Sequence, residues 1–125
     1  MLTFNRIGHY GRLGNQMFQY ASLMGIAKNR GFDFGIKYTN KDEYAYANPL
    51  VGKEKLDLFD AFNGISAKDS SGHVPRYLIQ EEKHEFDNII FDSVPDDTDL
   101  VGYFQTEKYF KNFEKEIRKE FTFHD

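Results

Sequence analysis

The sequence predicts a single α/β domain in which a short, mostly parallel β-sheet is flanked by helices. Its 125 residues are a typical length for one domain. With 40% hydrophobic residues, including 13 Phe and 8 Tyr, it can form a real core rather than a disordered segment. Within residues 1–36 a strand-like segment, a glycine-containing loop, a helical segment and a second strand-like segment follow one another. This order is that of a βαβ unit, whose strands run parallel.

The first strand is predicted over residues 2–7, because apolar side chains stand there among β-forming residues. Three glycines punctuate the loop over residues 8–14, and a helix is expected from Asn15. Its apolar side chains recur at helical spacing and are too widely spread for one stripe, so we expect it to be buried on most sides. Gly31 can end the helix in the left-handed conformation, and residues 32–36 form the second predicted strand.

The remaining elements are shorter. We expect a long loop at residues 38–55, an apolar cluster of unassigned structure at 56–62, a loop at 63–75 and strands at 76–80 and 100–104. The eight acids of residues 81–99 predict a solvated face. Thr106 is expected to cap a final helix, in which Glu114 and Arg118 form an i,i+4 ion pair. The helix buries Phe110, Phe113 and Ile117, and residues 121–123 can form a short strand.

Composition excludes several functional classes. The net charge is −4, which argues against general binding to nucleic acid or anionic lipid. No cysteine is present, which excludes a disulfide framework, a cysteine nucleophile and a cysteine-ligated metal. Because no apolar stretch is long enough to span a bilayer and no signal peptide opens the chain, we expect a soluble, cytoplasmic protein. Positive charge is concentrated in residues 1–50, with six Lys/Arg against three Asp/Glu.

Residues 8–20 are the best candidate for a binding site. In a strand–loop–helix connection, the first helical amides lack partners within the helix and lie at the positive end of its dipole. Glycines allow a ligand to approach the backbone, and the Arg12 guanidinium matches phosphate oxygens. These features predict an anion site suited to a diphosphate. The spacing of the glycines is neither a dinucleotide-binding nor a Walker motif. Glycines that merely permit a tight turn would therefore explain the pattern equally well.

Two segments resemble conserved blocks of a known enzyme family. Residues 11–21, GRLGNQMFQYA, are similar to the N-terminal signature of family 11 glycosyltransferases, the α-1,2-fucosyltransferases. Residues 102–110, GYFQTEKYF, resemble a second block of the same family. The resemblance implies the acceptor-side, Rossmann-like half of a GT-B enzyme that transfers fucose from GDP-fucose to a galactoside hydroxyl. It implies inversion at the anomeric carbon, no metal or other cofactor, and substrate contacts from Gly11, Arg12, Gly14, Asn15 and Gln16.

The sequence also departs from that family. Its members carry a His-x-Arg-Arg-x-Asp motif in a second domain that holds most of the donor contacts, and this sequence contains no Arg-Arg pair. We therefore expect no activity from the chain alone, and a second polypeptide or a second copy to supply the donor pocket. The alternatives are a non-catalytic module that binds a glycan or nucleotide, and a stable fragment without a ligand. An uncovered inter-domain face predicts weak homodimerisation.

The residues offer no clear catalytic base. His9 lies in the correct loop and has a suitable intrinsic pKa, although a loop histidine is more simply a polar surface residue. Tyr103, Gln105 and Lys108 could face an acceptor. For the aromatic residues we favour a structural role, with Tyr103 in a strand and with Phe104, Tyr109 and Phe110 in the core beneath it. A second possible carbohydrate surface is formed by a cluster of rings and amides, which a tyrosine-anchored polar loop would equally explain: Tyr38, Asn40, Tyr44, Tyr46 and Asn48.

Overall fold

The computed structural model describes residues 1–9, 11–42, 55–82 and 85–124. They form one five-stranded sheet in which every strand pairing is parallel, flanked by helices. The α/β prediction is therefore confirmed. The strands are β1 (Leu2–Thr3), β2 (Phe34–Ile36), β3 (Lys68–Asp69), β4 (Tyr77–Gln80) and β5 (Thr98–Val101). The helices are α1 (Leu13–Arg30), α2 (Leu58–Ala61), α3 (Asn88–Ser93) and α4 (Glu114–Glu120). Short 3₁₀ helices occupy Tyr38–Lys41, Glu107–Tyr109 and Lys111–Phe113.

The strand order across the sheet is β3-β2-β1-β5-β4. The chain builds outwards from β1 to β3, then crosses to the opposite edge for β4 and returns to place β5 beside β1. In this Rossmann-like sheet, the steps from β1 to β3 and from β4 to β5 run in the same direction, and the helices α1 and α3 contact each other. The carboxyl ends of the strands are the side of an open α/β sheet on which ligands usually bind.

Helix α1 is the centre of the packing. Every residue from Gln19 to Ala27 is buried, which confirms that the helix is covered on most sides. It starts at Leu13, two residues before the predicted position, and Gly31 ends it with φ +75° as expected. One face meets the 3₁₀ helix Glu107–Tyr109 so closely that a Cβ on Gly25 would lie 2.1 Å from the Tyr109 carbonyl oxygen.

Strand β1 is shorter than predicted. Its ladder ends at Thr3, and the Ile7 amide donates back to the Phe4 carbonyl in a turn. Ile7 is nevertheless fully buried. The Asn40 side-chain amide holds this turn by donating to the Asn5 and Ile7 carbonyls, both at 2.8 Å. A contact made from 33 or more residues away therefore ends the strand, and the local sequence carries no sign of it.

Two of the predicted irregular segments contain regular elements. Residues 63–75 include β3, which pairs with its neighbour β2 by placing Lys68 opposite Gly35 and Asp69 opposite Ile36. Residues 81–99 include α3, whose N-cap Asp87 accepts hydrogen bonds from the Ile89 and Ile90 amides. A two-residue strand and a six-residue helix are too short to show a period, so the sequence pattern missed both.

The C-terminal helix predicted from Thr106 is interrupted. Thr106 does cap a helix, since its hydroxyl accepts from the Lys108 amide, but that helix is the 3₁₀ turn Glu107–Tyr109. Phe110 then leaves the helical region with φ −137°, and α4 begins only at Glu114. Ile117 is buried, whereas Phe110 and Phe113 are half-buried. The Glu114–Arg118 ion pair is present, and the last predicted strand is reduced to one bridge between Phe62 and Phe123.

Candidate functional site

The first turn of α1 follows β1 at the carboxyl edge of the sheet. Arg12 is the N-cap residue, with extended backbone, and its side chain makes no capping hydrogen bond. The first turn contains no acidic residue. Arg12 and Gly14 are both exposed. An exposed arginine therefore stands at the N-cap of an 18-residue helix, next to the positive end of the helix dipole.

Two glycines of the preceding loop are required by close packing. Gly11 has φ +99°, and a Cβ there would lie 2.6 Å from the Asn15 Cβ. Gly8 has φ +89°, and its Cβ would meet the Leu56 backbone nitrogen at 2.5 Å. In contrast, a Cβ on Gly14 would meet nothing within 4 Å. Gly8 and Gly11 thus shape the loop, while Gly14 leaves open space at the helix terminus.

The Gln16 side chain holds the loop that precedes α1 in place. Its side chain is fully buried, and its Nε2 donates to the Gly11 carbonyl at 3.2 Å and the Lys55 carbonyl at 2.8 Å. Its Oε1 accepts from the Asp57 amide at 2.8 Å. The Gln16 amide is thus committed to the backbone of two segments. It positions the loop, whereas the sequence analysis expected it to contact a substrate.

Asn15 and Gln105 bring the two family-like blocks into contact. The Gln105 side-chain amide donates to Asn15 Oδ1, although the two residues are 90 positions apart. Two turns further along α1, in the interior, the Ser22 hydroxyl donates to the Phe104 carbonyl at 3.0 Å. The blocks 11–21 and 102–110 therefore meet at the surface at the start of α1, through Asn15 and Gln105.

A buried carboxylate supports this surface, and the sequence analysis did not single it out. Asp99 was placed among the solvated acids, but it is only 5% exposed. Its Oδ1 accepts from the Thr3 hydroxyl and the Asn5 amide, both at 2.8 Å. These bonds tie β5 to the end of β1. The available signal was its position, since Asp99 is followed directly by the apolar pair Leu100-Val101.

Other acids of residues 81–99 also have structural roles. A Glu81 carboxylate oxygen accepts from the Phe104 amide at 3.1 Å, and this bond holds the chain as it leaves β5. Phe104 there adopts φ +50°. The solvated-face prediction is therefore wrong for Asp99 and incomplete for Glu81 and for the α3 cap, Asp87.

His9 lies in the same loop, with its backbone amide bonded to the Arg6 carbonyl at 3.0 Å. Its Nε2 atom is buried and has no hydrogen-bond partner among the described residues. Because this nitrogen is closed to solvent, a substrate hydroxyl does not reach it in this conformation, and the geometry does not support His9 as a base. The neighbouring Tyr10 is outside the described residues.

The predicted acceptor-side residues divide into exposed and structural groups. Tyr103, Gln105 and Lys108 are exposed beside the second block. Tyr38 instead packs against the Phe59 ring at 4.7 Å and donates to the Ala67 carbonyl, and Asn40 is fully buried. The other three members of that proposed carbohydrate surface lie outside the described residues: Tyr44, Tyr46 and Asn48.

Within residues 1–9, 11–42, 55–82 and 85–124, no cluster of three or more His, Asp or Glu side chains could hold a metal ion. No helix in those same ranges is long and apolar enough to cross a membrane. Comparisons with models of protein families, with curated protein sequences and with solved structures find no match to this chain.

Proposed function

We propose that this domain is the acceptor-side half of a metal-independent fucosyltransferase that uses GDP-fucose and a galactoside. The observation that carries the proposal is the contact between Asn15 and Gln105 at the start of α1. Two segments that resemble blocks of one enzyme family meet at the start of α1, at the carboxyl ends of the parallel strands, where α/β sheets usually bind ligands. Folding for stability alone would not require polar residues from both segments to meet there.

The chemistry of fucosyl transfer fits the charges at the start of α1. The bond between the anomeric carbon and the diphosphate breaks with its electron pair going to the diphosphate oxygen, while the acceptor oxygen bonds to that carbon. Arg12 and the first amides of α1 are suited to stabilise the negative charge that develops on the leaving diphosphate. The acceptor proton passes to a base, and none of the described side chains is assigned that role. The products are GDP and the fucosylated galactoside.

The donor pocket requires residues from outside this domain. The sequence has no Arg-Arg pair with which to bind GDP-fucose in the manner of the family. Arg12 is the cation beside the first turn of α1, and a single guanidinium supplies only part of the charge that a diphosphate needs. We therefore propose that the domain binds the diphosphate weakly by itself and catalyses transfer only when that pocket is completed.

Calorimetric titration tests the nucleotide site directly. GDP should bind, and guanosine, which lacks the diphosphate, should not. Arg12→Ala should weaken GDP binding roughly tenfold or more, because a charge-assisted hydrogen bond contributes about 1.5–3 kcal/mol. Arg118→Ala is the matched control, since it removes an exposed arginine on α4 whose partner is the surface residue Glu114. Equal losses in the two variants, or no heat with GDP, would refute the proposed site.

A non-catalytic binding module is the second candidate, and the missing arginine motif favours it. The two functions separate when GDP-fucose, a galactoside and a fucosyltransferase donor-domain polypeptide are mixed with the chain. Fucosylated product that depends on both polypeptides supports the half-enzyme. Nucleotide binding without product under any combination supports the binding module instead.

A further inference from the structure

The outer strand β4 is unusually exposed for a parallel sheet. Parallel sheets are normally covered on both faces. Tyr77 and Leu78 point to opposite faces of β4, and they are 47% and 57% exposed. Val74, just before the strand, is 84% exposed. This edge therefore presents apolar side chains to solvent on both faces.

The backbone of β4 is also available along one side. Among the described residues, β4 pairs only with β5. The Tyr77 and Glu81 amides donate to the Asp97 and Val101 carbonyls on the β5 side. Because backbone groups alternate in direction along a strand, those of Leu78 and Gln80 face away from β5. They form a ready edge for another strand.

The opposite edge of the sheet is protected, which makes the contrast informative. Strand β3 has only two residues, Lys68 and Asp69, and both are exposed and charged. Short strands and charged residues are the usual means of preventing edge-to-edge pairing. Strand β4 has four residues, Tyr-Leu-Ile-Gln, without a charge. Among the described residues, the β3 edge is therefore protected against pairing with another strand, and the β4 edge is not.

Charges at the two ends of β4 identify the occupant as a second copy of this chain. The exposed side chains of Arg76 and Glu82 flank the strand on either side. When two copies pair antiparallel about a two-fold axis at Ile79, Leu78 of each copy lies opposite Gln80 of the other. The same register places Arg76 opposite Glu82, once on each side of the axis. Shifting the register by two residues in either direction, so that outward backbone groups still face one another, separates Arg76 from Glu82.

We infer that two copies of this chain associate through antiparallel pairing of their β4 strands, forming one continuous sheet across the dimer. The outward amides and carbonyls of Leu78 and Gln80 bond between the copies, and the Arg76–Glu82 pairs set the register. This inference is independent of the proposed fucosyl transfer. It replaces a general expectation of weak association with a specific surface and register.

Sedimentation equilibrium from micromolar to millimolar protein tests the inference, with 14.7 kDa as the monomer mass. The wild type should reach twice that mass. Gln80→Pro should remain monomeric, because proline removes an outward amide without removing a bond to β5. Gln80→Ala is the matched control, since it keeps the amide and should still dimerise. Circular dichroism establishes that each variant is folded.

Charge exchange tests the register. Arg76→Glu and Glu82→Arg should each raise the dimer dissociation constant roughly tenfold, because each places like charges opposite one another at both ends of the interface. The double variant should restore the wild-type value. A wild type that stays monomeric throughout, or a folded Gln80→Pro variant that dimerises normally, would overturn the inference. Failure of the double variant to recover would overturn the register. Association only with another added polypeptide would assign the edge to that polypeptide.

Discussion

Replacing Tyr20 by phenylalanine should destabilise this protein far more than removal of one hydroxyl usually does. The Tyr20 hydroxyl is buried between three elements and donates to the Glu120 carboxylate of α4. It also accepts from the Ser66 and Ala67 amides, both at 3.2 Å. The ring itself packs against Phe121 at 5.8 Å, a contact that phenylalanine keeps. The substitution therefore isolates the hydrogen bonds from the packing.

The expected cost follows from which groups lose a partner. Ser66 keeps Glu120, to which its amide and hydroxyl donate at 2.9 and 2.7 Å. The Ala67 amide and the carboxylate each lose one hydrogen bond. A hydrogen bond to a charged group contributes about 1.5–3 kcal/mol, and an unsatisfied buried donor costs about 1–3 kcal/mol. Because such effects are not additive, we expect the free energy of unfolding to fall by about 2–4 kcal/mol.

Urea unfolding followed by circular dichroism measures this change as a lower midpoint with an unchanged m-value. Tyr38→Phe is the matched control, because the Tyr38 hydroxyl makes a single bond to the carbonyl of Ala67. It should cost only about 0.5–1.5 kcal/mol. Tyr77→Phe, on the exposed edge, should change stability by less than about 0.5 kcal/mol. A Tyr20→Phe cost no larger than that of Tyr38→Phe would refute the reasoning.

Three further predictions follow from buried groups. Gly25→Ala should destabilise by about 1–3 kcal/mol or more, because its Cβ would lie 2.1 Å from a carbonyl oxygen; Gly14→Ala, in the same helix but in open space, should not lower the urea midpoint. Burial raises the pKa of Tyr109 to about 12, so stability should be intact below pH ~10, the ordinary tyrosine pKa. It should then fall as the pH rises towards 12; an absorbance rise at pH ~10 that is smaller in a folded Tyr109→Phe variant than in the wild type would contradict this, because that comparison cancels the signal of the other tyrosines. Asp99→Ala should cost about 2–3 kcal/mol by leaving two donors unpaired, whereas the exposed Asp92→Ala should be near neutral in thermal unfolding.

The sequence was most informative where a signal is long or chemically specific. Eighteen residues of α1 carry a clear apolar surface, and Gly31 is the residue type that the left-handed end of a helix requires. The βαβ order predicted parallel strands, because a helix between two strands is the crossover connection that parallel strands require. The Glu114–Arg118 pair follows from helix geometry alone.

Short elements and long-range bonds could not be predicted in this way. Strand β3 forms by pairing with β2. The helix break at Phe110 coincides with the contact of Tyr109 against α1 near Gly25. Neither cause is visible within a local window of sequence. Asp99 illustrates the same limit, since its acid-rich neighbours indicated solvent while its actual donors are Thr3 and Asn5, 94 or more residues away.

For the candidate site, the sequence alone predicted a type of chemistry: glycines, an arginine and a helix start favour binding of an anion, because backbone flexibility and charge are local properties. Only the tertiary structure decided which side chains face that space. It committed Gln16 to the backbone, placed Asn15 beside Gln105 and buried the Nε2 of His9. Those assignments depend on segments that are distant in the chain, and distance along the sequence carries no information about proximity until the sheet order brings the segments together.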